Sequence, residues 1–203
     1  GSIFPTAAPI PTATTVPTPT IPPTPSSPLL RLNLGGEPNI LDPQLASSLL
    51  EFSVLRQLSE GLIGFDKDLK LTPRVAAEVP TVENGGVSAD GLTYTFKLKD
   101  GLIWSDGQPL TAGDFEFSFK RVLSPDLAAP YSSLFAAIQV GEEYMMAAEA
   151  ESAVKASLRE ALGISATSDD TLVITLAAPN PTFLHAPLTR WLSCDGKLPH
   201  RAK

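Results

Sequence analysis

Apolar and polar positions alternate along Tyr94–Leu98, with Tyr94, Phe96 and Leu98 separated by Thr95 and Lys97. A period of two predicts a half-buried strand. Asp100-Gly101 supplies a turn in which glycine takes positive φ, and Leu102-Ile103-Trp104 is expected to return as the partner strand of a hairpin. Ser105-Asp106-Gly107 breaks that strand. From Thr111 the period changes. Phe115, Phe119 and Val122 recur at helical spacing and form an apolar stripe that must bury against something. Thr111 occupies the N-cap position, and Asp114 three residues on completes an acidic version of the capping box.

The same reading extends along the chain. Leu30, Leu32 and Leu34 alternate as a short strand ended by Gly35-Gly36. A helix is expected from about Ser47 to Ser59, with Leu50, Val54, Leu55 and Leu58 on its buried face. Leu62 to Leu71 reads as a hairpin around Asp66-Lys67-Asp68, and Asn84-Gly85-Gly86 and Asp90-Gly91 mark further turns. Ser124-Pro125 stops the Thr111 helix. Glu142 to Leu162, rich in Ala, Glu and Met, reads as a second long helix, and Thr171 to Leu176 as a strand entered through Asp169-Asp170. Strands and helices in this order predict an α+β fold.

Composition separates off the N-terminus. Gly1 to Leu30 holds nine of the twenty prolines and seven threonines, and the first charged residue is Arg31. Such a segment has too little apolar surface to offset chain entropy, so residues 1–29 are expected to be a disordered, polyproline-like linker. It reads either as a surface tether or as a plain disordered leader. No cysteine lies near it to accept a lipid. The remaining chain is long enough to bury a core, with 43% hydrophobic residues among 203. A net charge of −7 argues against nucleic-acid binding. No apolar run has the length of a transmembrane helix.

Catalytic chemistry finds little footing. His185 and His200 are the only histidines and show no metal-ligand spacing. Neither a nucleophile elbow nor a phosphate-binding loop is present. Glu142-Glu143 and Asp169-Asp170 are adjacent pairs whose side chains diverge in regular structure, and Cys194 has no identifiable base beside it. No catalytic residue, metal ligand or cofactor is therefore expected.

The segment WSDGQPLTAGDFEFSFKRV, Trp104 to Val122, resembles the central motif of the family 5 extracellular solute-binding proteins, receptors of bacterial ABC importers for oligopeptides, dipeptides and nickel. GGEPNILDP (35–43), EGLIGFDKDLKLTPRVAAEV (60–79), SADGLTYTFKLKDGLIW, SPDLAAPYSSLF and DDTLVITLAAPNPTFL continue the likeness in the family's order. Val79 departs from the tryptophan usual there. The resemblance implies the N-terminal part of a type II periplasmic-binding-protein-like fold across residues 30–184, incomplete because the second lobe is missing. It also implies a monomer outside the cytoplasm, in the periplasm or tethered to the outer face of the membrane, that binds a peptide or other small solute and serves an ABC permease.

The resemblance also assigns a site. Gly36-Glu37-Pro38-Asn39 matches the family's ligand-contacting loop, and Tyr131 matches an aromatic that faces the cleft in peptide-binding members. Glu37, Pro38, Asn39 and Tyr131 are thus the candidate ligand-binding residues. Glu37 reads equally as a solvated loop carboxylate, and Tyr131 as an ordinary rim tyrosine. Trp104, Asp106, Gly107, Thr111 and Asp114 read as core, turn and cap residues that build the scaffold. After Leu184 the likeness ends, and residues 185–203 read as a tail unlike the family, with Lys197, His200, Arg201 and Lys203 as a small basic cluster. A truncation or frame change there would leave binding impaired, because the second lobe forms the cleft's other wall. The alternative is a stalked surface module with a structural or interaction role and no part in transport.

Overall fold

The computed structural model describes residues 33–185 and the backbone of a two-residue strand at Pro199–His200. In chain order the elements are α1 (Leu49–Leu58), β1 (Ile63–Phe65), β2 (Leu71–Pro73), β3 (Thr93–Lys97), β4 (Ile103–Trp104), α2 (Ala112–Val122), α3 (Gly141–Met145), α4 (Ser152–Ala161), β5 (Ile164–Ser168), β6 (Thr171–Thr175) and β7 (Pro199–His200). The described residues from Leu34 onward cluster as one unit. The expected linker at 1–29, the strand residues Leu30 and Leu32, and Cys194 lie outside the described residues. Leu34 belongs to no strand and is exposed.

The principal sheet has the order β3-β6-β5, antiparallel throughout. Alternation sets its buried face: Tyr94 and Phe96 on β3, Leu172 and Ile174 on β6, and Ile164 on β5 are all buried. Helix α2 packs against β5 and β6 with Phe115 and Val122 fully buried and Phe119 nearly so. The result is a two-layer α+β core.

The expected hairpin between β3 and Leu102–Trp104 does not form. Both edges of β3 are already occupied, by β6 on one side and by Gly86–Ser88 on the other. On that second edge the Thr95 N–H donates to Gly86 O at 2.7 Å and the Ser88 N–H to Thr93 O at 2.9 Å. Gly101 does take positive φ, at 70°, but its turn swings the chain away from the sheet. Leu102–Trp104 instead pairs with the segment after Ser105-Asp106-Gly107, through Trp104 N–H to Gln108 O (2.8 Å) and Leu110 N–H to Leu102 O (3.0 Å). On its other side β4 pairs with β7.

Thr111 is the N-cap of α2, as its position predicts. The Asp114 carboxylate oxygen Oδ2 accepts the Thr111 N–H at 2.8 Å, the Thr111 hydroxyl at 3.2 Å and the indole Nε1–H of Trp104 at 3.1 Å. Trp104 is 2% exposed. Its buried N–H is therefore satisfied by the same carboxylate that caps the helix, which fixes the tryptophan turn on the start of α2.

The long helix expected over 142–162 is two short ones, α3 and α4, joined by turns. The reason is closure. Gln139 N–H donates to Thr175 O at 2.9 Å, Gly163 N–H to Gln139 O at 3.0 Å and Thr175 N–H to Gly163 O at 2.7 Å. The chain leaves β6 at Gln139 and must return to it at Gly163. A continuous helix of that length would carry its end roughly 30 Å from its start. Tertiary closure overrides helix propensity here.

Gly163 stands at the tightest point of this closure. A Cβ there would lie 2.5 Å from the Thr175 carbonyl oxygen and 2.8 Å from Gln139 Cβ. Both are close to the backbone and neither can swing away. Gly163→Ala is expected to destabilise the fold by roughly 2–3 kcal/mol, measured as a drop in urea midpoint with unchanged slope; an unaltered midpoint would show that this closure is not tight.

Candidate functional site

The loop carrying Glu37, Pro38 and Asn39 is followed by a dense set of polar anchors. Asp42 begins a turn: Leu45 N–H and Ala46 N–H donate to its carbonyl, and Gln44 N–H to its side chain at 2.9 Å. Its carboxylate pairs with both terminal nitrogens of Arg121 at the end of α2, Oδ2 to Nη2 at 2.6 Å and Oδ1 to Nη1 at 3.2 Å. Gln44, fully buried, donates from Nε2 to Ser118 O at 2.8 Å and accepts from Arg121 Nη1 at 2.6 Å. Two buried groups, Gln44 and the Ser118 carbonyl, and the half-buried Asp42–Arg121 pair thereby satisfy one another.

Helix α1 then starts at the N-cap Ser48, with a complete capping box to Glu51. Glu51 is 3% exposed, and its carboxylate accepts the N–H groups of Ser48 and Ser47, each at 2.9 Å. The bonds from Ser48 and Ser47 outweigh the cost of burial and hold the carboxyl below its ordinary pKa. Gly36 lies against the same helix, with space for a Cβ 3.6 Å from Leu50 Cδ2.

Glu37 and Asn39 are exposed and Pro38 is half-buried. Tyr131 is also half-buried and packs at the margin of the core, its ring 6.0 Å from that of Phe52 at an interplanar angle of 51°. Both candidate groups therefore rest on α1, the loop through Gly36 beside Leu50 and the tyrosine through Phe52. Phe52 in turn forms part of a cleft of about 560 Å³ between α1 and the β1–β2 hairpin. Of the apolar positions expected to bury on α1, only Leu55 does so; Leu50 and Val54 are partly exposed, Leu58 is exposed, and Leu49 at the helix's first position is 85% exposed.

Sequence reasoning missed the anchors. Ser48-Leu49-Leu50-Glu51 is a capping-box pattern readable from the chain. The contacts of Asp42 and Gln44 with α2 carry no local signal. Trp104, Thr111 and Asp114 are scaffold, as expected. His185 lies in a short 3₁₀ turn near Phe65, and among the described residues no three His, Cys, Asp or Glu side chains gather as a metal site.

Residues 41–192 match the bacterial extracellular solute-binding proteins, family 5 (middle). The oligopeptide-binding protein OppA of Bacillus subtilis is 36% identical over 155 residues, which are 76% of this chain and 26% of that protein. Peptide-bound OppA of Listeria monocytogenes superposes with a TM-score of 0.60 at 33% identity, covering 74% of this chain and 28% of that one. The substrate-binding domain of an oligopeptide ABC transporter from Bacillus anthracis gives 0.61 at 31% identity, covering 74% and 27%. The chain spans about a quarter of the length of the relatives it matches.

The state of Glu51 makes the start of α1 sensitive to acid. A carboxyl whose folded pKa is depressed stabilises the fold above its unfolded value, about 4.3, and that stabilisation is lost as the pH falls through the lower folded value. Glu51→Gln is expected to melt lower than the parent at pH 7, with the gap closing between about pH 5 and pH 3. Thermal melts across that range check it, and a constant gap would refute the assignment.

Proposed function

Because this chain belongs to the family 5 bacterial extracellular solute-binding proteins, we propose that it is part of a receptor that captures short peptides outside the cytoplasm and passes them to an ABC permease. The observation that carries the site is the shared footing of the 36–39 loop and Tyr131 on α1, Gly36 beside Leu50 and Tyr131 against Phe52. Relatives named for oligopeptide binding support the ligand class, and the match to the substrate-binding domain of an oligopeptide ABC transporter supports the permease as partner.

The mechanism is binding without chemistry. An extended peptide offers the same N–H and C=O groups whatever its side chains, so recognition through them tolerates many sequences. Glu37 accepts from peptide N–H groups or pairs with a cationic end, and Asn39 both donates and accepts. Pro38 restricts the loop between them. Tyr131 packs its ring along the peptide while its hydroxyl stays polar. Residues 30–184 act as this receptor portion, 1–29 as a tether that holds it off the membrane surface, and 185–203 as a tail outside the receptor portion. The chain acts as a monomer without a nucleic-acid partner.

These residues form one wall of a peptide cleft, and a receptor of this type encloses its ligand with a second lobe. Alone, the chain is expected to bind trialanine with Kd of about 1 mM or weaker, roughly 4 kcal/mol. In an amide NMR titration the resonances of Glu37, Asn39 and Tyr131 should move together, and Tyr131→Ala should abolish the movement at 37–39. Shifts spread evenly over the surface would sink the site, and saturation at micromolar peptide would sink the single-wall reading.

A further inference from the structure

We propose that the cleft between α1 and the β1–β2 hairpin is a separate binding site, for an apolar group that carries a carboxylate. This inference does not depend on the peptide reading of Glu37 and Tyr131. The cleft measures about 560 Å³, within the range of roughly 300–1,000 Å³ usual for small-ligand sites. Phe52, Leu55, Phe65 and Leu69 supply apolar walls. Arg56 and Arg74 stand against the single acid Glu60, so the lining is positive by one on a chain of net charge −7.

Three details point to an absent occupant of that chemistry. Ser59 lines the cleft, and its hydroxyl oxygen, buried beneath the surface, has no hydrogen-bond partner among the described residues. Buried polar atoms are rarely left so. Arg56 has no carboxylate within ion-pair distance among the described residues. Arg74, by contrast, is held in place. It lies over Gly64, where a Cβ would meet its Nε at 2.7 Å, and its Nη2 donates to Phe65 O at 2.9 Å with Glu60 3.9 Å from Nε.

The third detail is Leu69. It is 80% exposed and sits at φ 59°, a region that branched apolar residues seldom enter. Asp66 enforces this by accepting the N–H groups of Asp68 and Lys70 on Oδ1, at 2.8 and 2.9 Å. A strained backbone thus presents a bare leucine at the cleft rim, an arrangement that calls for something to cover it. A hydrocarbon chain would cover Leu69 and Phe65, while its carboxylate accepts from the Arg56 guanidinium. The carboxylate belongs either to a peptide C-terminus bearing an apolar residue or to a free amphipathic acid.

Calorimetry on the 203-residue chain with octanoate and with Ala-Ala-Leu, each beside its neutral counterpart (octanol, and the tripeptide amide), tests this. One-to-one saturable binding of at least one acid, at least tenfold tighter than its neutral counterpart, supports the site, and the acid that binds identifies the source. Arg56→Gln and Leu69→Asn should each weaken that binding at least fivefold with the melting temperature retained, since asparagine accepts the left-handed backbone. No saturable heat with either acid, neutral ligands binding as tightly as the acids, or heat that survives both substitutions would overturn it.

Discussion

The pairing of Asp42 with Arg121 is the constraint on which the placement of the candidate site rests. It joins positions 79 residues apart, the turn before α1 and the end of α2, through two parallel charge-assisted bonds. A bidentate guanidinium–carboxylate pair fixes orientation as well as distance. Gln44 extends it inward, with its amide nitrogen on the Ser118 carbonyl and its oxygen on Arg121. Loss of Arg121 would remove the charge partner of Asp42 and a donor to a fully buried glutamine oxygen. The loss would exceed one bond, because three hydrogen bonds go together and the groups left behind keep their desolvation cost with fewer donors.

Helix α2 is the body to which this constraint is referred. Its first turn is tied to the tryptophan turn by Asp114, its last to the Asp42 turn by Arg121, and its middle to the sheet by Glu116. Glu116 accepts the Ala166 N–H at 2.7 Å, next to the irregularity in pairing between β5 and β6, and pairs with Lys120 at 2.9 Å. Burial opposes the charged form of Glu116, yet the bonds from Ala166 and Lys120 and the nearby Lys120 and Arg159 charges prevail and lower its pKa. Apolar burial of Phe115, Phe119 and Val122 supplies the drive to pack, and the polar ties select the one orientation in which all of them close.

Local structure was legible in the chain wherever its cause was local. The alternation of Tyr94, Phe96 and Leu98, the cap at Thr111 and the turn glycines at 85, 91 and 101 all stand where pattern and steric rules place them. The β1–β2 hairpin around Asp66–Asp68 does too. What failed was topology. The Leu102–Trp104 strand pairs elsewhere because the edges of β3 are taken, and the 142–162 helix breaks because Gln139 and Gly163 must meet. Neither fact has a trace in a window of ten residues. The candidate site shows the same division: its exposed residues were readable only through family likeness, and their anchors on α2 and α1 only through the fold.

That division also accounts for the character of the residues involved. Recognition directed at a peptide backbone needs donors and acceptors at set positions, and few demands fall on the side chains that carry them. Position must then come from the layer beneath. Gly36 rests beside Leu50, Asp42 holds Arg121 and Phe52 supports Tyr131, so one packing contact, one half-buried ion pair and one aromatic contact carry the geometry of the candidate positions. The residues that make the chain recognisable, Trp104 through Arg121, serve the same end from one step further in. They orient α2, and α2 orients the turn from which the loop departs.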